Sequence, residues 1–346
     1  MRKRLIGTLL VSALLLSCLT ACGNSASSTS TSSPSDSGAK ETVTLKLATE
    51  MADGSPEADA TYAFADNVYE QTNGEVKIDV YTSGQLGDPA TVIESAQLGN
   101  VDIIILPASD FKSFDEIFGM EAVPFLYADN DSVAEILKES GAADTQKEIL
   151  KENGLILLNE ARNAFRGPYR VLVSKTPIRT IDDLKGLRFR TFENKNYNEA
   201  YTILGANPIV IAYSETYMAL QNGLADACTC AISDLKSQHF TEVAPYVTNI
   251  NEYVSTVLLL AGSSTYDALS EENQAILKSC ADQFGEDLEE LSLASLQGDL
   301  DELEAAGVEF IDIDTAPARE ALKDFYYSLE ESGALPAGTV DIVLAQ

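Results

Sequence analysis

From Thr42 onward the chain alternates two kinds of apolar spacing. Val43, Leu45 and Leu47 alternate with polar residues, as in a half-buried strand. Ser55-Pro56 then supplies a helix cap and a first helical residue, Ala58, Tyr62, Ala65 and Val68 give the helix a buried face, and Gly74 ends it. Val76, Ile78 and Val80 alternate as a second strand. Asp88-Pro89 repeats the cap-plus-proline start, with Val92, Ile93 and Ala96 on one face and Gly99 at the end. Ile103 to Leu106 is an unbroken apolar run, as expected for a strand covered on both faces by helices. The pattern predicts a βαβαβ unit with a mostly parallel sheet.

The same order of elements returns after Arg170, without sequence repetition. Val171 to Val173 and Leu187 to Thr191 read as strands around a turn of helix capped by Thr180 and running through Leu184. Asn194 to Leu204 reads as helix stopped by Gly205, Ile209 to Ala212 as a strand, Ser214 as the cap of a helix ending at Gly223, and Ala227 to Ile232 as a last strand. Ser270 then caps a helical stretch from Glu271 to Ala306, with Ile276, Cys280, Phe284, Leu288 and Leu291 on one stripe. Unbroken, it would be ~54 Å long and could brace both α/β halves, whereas Gly285 or Gly298 could divide it in two.

The first residues have a different grammar. Arg2, Lys3 and Arg4 precede an apolar run from Leu5 to Leu19, which is the layout of an export signal and is short for a membrane span of ~20 residues. Leu19-Thr20-Ala21-Cys22 resembles a bacterial lipobox, with cleavage before Cys22 and lipid on its thiol. Gly23 to Ala39 holds Ser, Thr, Gly and Pro with one acid and no large apolar residue, so it reads as a flexible tether.

Composition narrows the function. Across 346 residues, 23 Lys and Arg face 54 acids, for a net charge of −31 that falls to −34 once Arg2, Lys3 and Arg4 are removed. Such a field repels phosphate backbones, which excludes a nucleic-acid partner. His239 is the one histidine, leaving nothing for a multi-histidine metal site and little for a catalytic triad. Of five cysteines, Cys18 would leave with the signal and Cys22 would be lipidated. Cys228, Cys230 and Cys280 remain, an odd number that argues against a disulfide framework. Cys228 and Cys230 would share one face of a strand, where small apolar packing is a better reading than metal binding. No metal or cofactor is expected.

In open parallel sheets ligands bind beyond the carboxyl ends of strands. The residues there are Thr49, Glu50 and Met51, then Ser83 and Gln85, then Pro107, Ala108 and Ser109 in the first half. In the second they are Arg190, Phe192 and Glu193, then Tyr213, then Thr229 to Ser233. Arg190 matters most, because a guanidinium at a strand end can take a carboxylate through two parallel hydrogen bonds. Its alternative role is an ion pair with one of the protein's own acids.

Further pattern bears on that choice. Pro177-Ile178, Asp183-Leu184-Lys185-Gly186-Leu187-Arg188-Phe189-Arg190, Leu204-Gly205-Ala206-Asn207-Pro208 and Ser214 through Asp226 together resemble the DctP-type substrate-binding proteins of TRAP transporters. Phe64-Ala65, Gly74, Gln85-Leu86-Gly87 and Gln97-Leu98-Gly99 before Asp102 agree, so the resemblance spans Leu45 to Leu335.

The resemblance implies a two-lobed, Venus-flytrap α/β fold of two doubly wound sheets joined by hinge strands and a long bracing helix. On this reading residues 1–21 are a lipoprotein signal peptide and 22–41 the tether. Residues 42–165 with about 255–270 form lobe I, 166–254 form lobe II, and 271–346 pack across both. The expected role is capture of a small organic acid by cleft closure outside the cell membrane, where the chain is anchored through Cys22, and delivery to the TRAP permease subunits. No catalytic residue is implied. Arg190 takes the place of the family's carboxylate-binding arginine. The second arginine is Arg170 when counted from Pro177-Ile178 and Arg166 when counted from Leu157-Leu158, with Arg170 ranked first. Tyr213 would wall the pocket and Glu50 would contact ligand.

The chain departs from the family after Asp226. Ala227-Cys228-Thr229-Cys230-Ala231 stands where many members have Gly-Gln-Glu-Asn-Pro, so Cys230 replaces the usual asparagine contact. Phe192 and Glu193 also depart, and an acid at 193 can bind hydroxyls or an amine. A uronate or an amino-bearing acid then fits better than a C4-dicarboxylate. Two rival readings share these residues: a binding protein that docks on a sensory receptor, and a hydrolase using Glu193, Glu160 or Glu50 as paired carboxylates.

Overall fold

The computed structural model describes residues 42–127, 130–253, 255–294 and 296–344. The export signal, Cys22 and the tether lie outside the described residues. The body from Glu41 to Gln346 forms one compact unit.

Eleven strands run in chain order among the described residues. They are β1 (Val43–Thr49), β2 (Val76–Tyr81), β3 (Ile103–Pro107), β4 (Leu155–Leu157), β5 (Arg170–Ser174), β6 (Arg188–Thr191), β7 (Asn207–Val210), β8 (Ala227–Ala231), β9 (Tyr246–Asn249), β10 (Val257–Gly262) and β11 (Glu309–Asp312). One sheet has the order β2-β1-β3-β10-β4 and the other β11-β9-β5-β8-β6-β7. The expected parallel cores are present, since β1 pairs parallel with β2 and β3, and β6 pairs parallel with β7 and β8. Both sheets are nevertheless mixed: β10 runs antiparallel to β3 and β4, and β5 antiparallel to β8 and β9. The result is a two-sheet α/β fold.

Side-chain alternation decides which helix covers which face. Leu45, Leu47, Ile103 and Ile105 face one way, onto Phe64 and Val68 of the helix Pro56–Gln71 and Phe284 and Leu288 of the helix Glu271–Ala294. Ile104 and Leu106 face the other way, onto Val92 and Ile93 of the helix Pro89–Gln97. The caps at Ser55 and Asp88 form as the sequence predicts, accepting from the amides of Ala58 and Thr91, and Asn194, read as a helical residue, is instead a cap that accepts from the Tyr197 amide.

Two expectations need correction. The strand placed at Ile209–Ala212 is Asn207–Val210, and it includes Pro208, which is tolerated because β7 is the edge strand of its sheet. Ser214 caps nothing: a 3₁₀ turn at Tyr213–Glu215 leads into the helix Thr216–Gln221, which has no side-chain cap. The long stretch is helical over Glu271–Ala294 and Leu296–Ala305, with Gly285 and Gly298 both inside helix. Gly285 instead allows close packing, since a Cβ there would lie 2.1 Å from Asn163 Oδ1.

Candidate functional site

The charged residues of the site come from the ends of strands and the turns after them. Arg190 in β6 is 6% exposed, and its Nε donates to the Ile211 carbonyl at 2.9 Å. Its guanidinium carbon lies 5.2 Å from the centroid of the Tyr213 ring. Among the described residues Arg190 has no ion pair, and its two terminal nitrogens donate no hydrogen bond.

The other two arginines differ. Arg166 lies in the segment that crosses between the sheets, where its Nε donates to Glu57 Oε2 at 2.5 Å, Nη2 to Glu57 Oε1 at 3.2 Å and Nη1 to Glu50 Oε1 at 2.9 Å. Glu57 sits in the first turn of its helix, where the free N–H groups favour a carboxylate, and it also accepts from Thr49 Oγ1 at 2.7 Å. Arg170 opens β5, with Nε 3.2 Å from the fully buried Glu252, Nη2 donating to Thr229 at 3.0 Å, and Tyr253 beneath it at 4.4 Å. Glu252 further accepts from the hydroxyls of Tyr197 and Tyr201. Every nitrogen of Arg166 is engaged, whereas Nη1 of Arg170 donates no hydrogen bond among the described residues.

Two aspartates complete the charge distribution. Asp110, in the 3₁₀ turn after β3, has its carboxyl pushed up to about 8 by burial and by Glu50, against the pull of Arg166 and Arg190. Asp234, in the corresponding turn after β8, is 3% exposed and pushed up to about 7 by burial, with Arg166 opposing and Glu57 adding. Neither carboxyl accepts a hydrogen bond among the described residues. Both obey the strand-end rule, yet the sequence reading stopped at Ser109 and Ser233, one residue short in each case. Glu57 and Glu252 are missed for a different reason, since they lie 109 residues from Arg166 and 82 from Arg170.

A cavity of about 500 Å³ opens beside this group. The loops after β1 and β2 supply Glu50, Ala52 and Ser83, and the second sheet's loops supply Tyr213, Ser214, Tyr217 and the segment Ser237–Phe240 with Glu242. Tyr213 is thus shared: Arg190 lies against its ring, which also lines the cavity. Phe240 meets that ring edge-on at 5.9 Å, and burial raises the Tyr213 phenol.

Not every candidate is brought here. Glu193 is exposed and lies off the cavity lining, because the chain turns Phe192 inward against Tyr197 and Tyr253 and leaves the next residue outside. Cys230 is fully buried with Cys228, Val171 and Val173 in an apolar cluster, with its thiol raised by burial. Its neighbour Thr229 points to the opposite face and meets Arg170. Ser109 is buried beside Asp110 and makes no side-chain hydrogen bond among the described residues. Glu160 is tied to Lys147 and Lys278 at 2.8 Å each. Among the described residues no group of His, Cys, Asp and Glu has the arrangement of a metal site, and no helix is long and apolar enough to cross a membrane.

The two-sheet α/β fold matches that of periplasmic solute-binding proteins of the TRAP type. The chain belongs to the DctP family, bacterial extracellular solute-binding protein family 7, whose model matches residues 47–332. It is 29% identical over 280 residues to the 2,3-diketo-L-gulonate-binding periplasmic protein YiaO of Escherichia coli, covering 81% of this chain and 84% of that one. Among solved structures it resembles the sugar acid binding protein DctPAm of Advenella mimigardefordensis in complex with galactonate (25% identity, TM-score 0.79, 88% of this chain and 97% of that one). A TRAP periplasmic solute binding protein of Ochrobacterium anthropi with bound L-fuconate is similar too (28% identity, TM-score 0.78, 88% of this chain and 99% of that one).

Proposed function

We propose that this protein captures a sugar acid, a uronate or aldonate, outside the cell membrane and delivers it to a TRAP-type permease. The observation that carries the reading is Arg190: a buried guanidinium whose two terminal nitrogens have no partner among the described residues, in a site where Arg166 and Arg170 already hold carboxylates of the protein. A buried cation without a counter-ion is costly, and a ligand carboxylate offsets that cost through paired charge-assisted hydrogen bonds. Arg170, with Nη1 free, is the better second contact, and Arg166 acts through Glu50. The unpaired carboxyls of Asp110 and Asp234 suit a ligand rich in hydroxyl donors.

Capture works by closure. Lobe I, residues 42–165 with about 255–270, and lobe II, residues 166–254, each supply part of the site, so a ligand held by both favours the shut form by the difference in its contacts. Cys22, in the lipobox-like Leu19-Thr20-Ala21-Cys22, carries the lipid that holds the body at the membrane, and residues 22–41 are the leash. The galactonate and L-fuconate complexes of similar proteins support the substrate class.

Thermal-shift screening of the purified protein against uronates, aldonates, C4-dicarboxylates and amino acids tests the substrate class. Stabilisation by sugar acids and its loss in Arg190→Ala are expected, and stabilisation by C4-dicarboxylates alone would overturn the reading. The mass of the mature N-terminus, intact and after Cys22→Ser, tests the anchor.

A further inference from the structure

The cavity of about 500 Å³ falls within the ~300–1,000 Å³ of pockets that enclose drug-sized ligands, and it shares Glu50 and Tyr213 with the carboxylate grip but none of its arginines. Arg190, Arg170, Arg166, Asp110 and Asp234 are all absent from its lining. The two regions share Tyr213, whose ring lies against Arg190, and Glu50, which accepts from Arg166, so a molecule held on Arg190 lies next to the cavity.

The lining has the chemistry of a carbohydrate site. Tyr213 and Tyr217, both part-exposed, supply aromatic surface for the C–H face of a sugar, and Phe240 is buried behind Tyr213. Ser83, Ser237 and Gln238 also line it and offer hydroxyl and amide partners. Glu242 is fixed in place by the Tyr217 hydroxyl at 3.3 Å and His239 Nδ1 at 2.9 Å, which presents its remaining lone pairs as acceptors for sugar hydroxyls. No lysine or arginine lines the cavity, whereas Glu50 and Glu242 do. A second carboxylate there would meet two acids and no lysine or arginine.

Resting on the sugar-acid reading above, we infer that this cavity is a second sugar subsite that takes a neutral ring. The ligand is then a disaccharide acid with one carboxylate, an acidic unit on Arg190 linked to an uncharged sugar against Tyr213 and Tyr217. The upstream step is a depolymerisation that leaves two-ring acidic fragments, and the downstream step is cleavage of a glycosidic bond inside the cell.

Titration calorimetry of the purified protein with three probes tests this: gluconate, lactobionate (the same acid carrying a neutral galactose) and digalacturonate (two rings, two carboxylates). Lactobionate should bind at least about tenfold more tightly than gluconate, a margin of one further favourable contact set. Digalacturonate should bind more weakly than lactobionate. Tyr217→Ala and, separately, Gln238→Ala should shrink the lactobionate advantage while leaving gluconate affinity within about twofold. Gluconate binding that depends on Arg190, with lactobionate equal or weaker, would overturn the second subsite and leave the sugar-acid reading intact. A preference for digalacturonate would overturn the neutral ring. No binding of any of the three would contradict both readings.

Discussion

The guanidinium of Arg190 lies 5.2 Å from the centroid of the Tyr213 ring, and its one hydrogen bond among the described residues goes to a carbonyl, that of Ile211. One strand away across β8, Arg170 is held by Glu252 and Thr229. Two buried arginines flanking one strand are therefore paired differently: Arg170 is neutralised by Glu252, and Arg190 has no ion pair among the described residues.

That division makes Glu252 a structural acid. Glu252→Ala removes the counter-ion of Arg170 and the acceptor of two tyrosine hydroxyls, leaving a buried charge unpaired at a cost of about 3–5 kcal/mol. Urea denaturation should show that loss, whereas Glu252→Gln, which keeps an acceptor, should lose less.

Asp110 and Asp234 make stability depend on pH in the direction opposite to most acids. Their folded values, about 8 and about 7, lie above the unfolded value near ~3.9, so the folded state binds more protons in between. Their contribution is fully present below about pH 4 and is lost as pH rises through 7 and 8. Asp88, Asp183 and Asp226 are lowered by hydrogen bonds, so theirs is lost in acid instead. The melting temperature of the unliganded protein should therefore fall between about pH 5 and pH 8, and Asp234→Asn should flatten that fall. An unchanged slope in Asp234→Asn would show that another group is responsible.

Gly285 has a packing role that is independent of the ligand. A Cβ there would meet Asn163 at 2.1 Å, so Gly285→Ala must displace that side chain, which itself donates to the Asp282 carbonyl at 3.1 Å. A loss of about 1–3 kcal/mol is expected in chemical denaturation. Gly298→Ala, with nothing within 4 Å, should be neutral or slightly stabilising.

Cys230 gives a test of the strand's two faces. Its thiol packs with Val171, Val173 and Cys228 in the cluster that Tyr213 also packs against, on the opposite face of the strand from Thr229. Cys230→Ala should cost about 1 kcal/mol of stability and leave sugar-acid affinity within twofold. A tenfold loss of affinity would instead return Cys230 to the site.

Much of the fold was legible because local chemistry decided it. Ser55-Pro56 and Asp88-Pro89 start helices by capping, and Ile103 to Leu106 reads as a strand because both its faces are covered. The antiparallel additions were not legible. β10 reaches its place beside β3 from about 150 residues further along the chain, and no local pattern gives that pairing. The site divided in the same way. Arg190, Tyr213 and Glu50 follow strands and could be read from the rule for strand ends, whereas Glu57 and Glu252 are known only by the arginines they meet across the fold. The lipobox-like cysteine rests on sequence alone.

The central claim is that Arg190 grips the carboxylate of a sugar acid, and titration calorimetry of Arg190→Lys tests it most directly. Lysine keeps the charge but cannot make two parallel hydrogen bonds, so affinity for the best sugar acid found in the thermal-shift screen should fall at least about a hundredfold with the melting temperature nearly unchanged. Equal affinity in the wild type and Arg190→Lys would contradict the account.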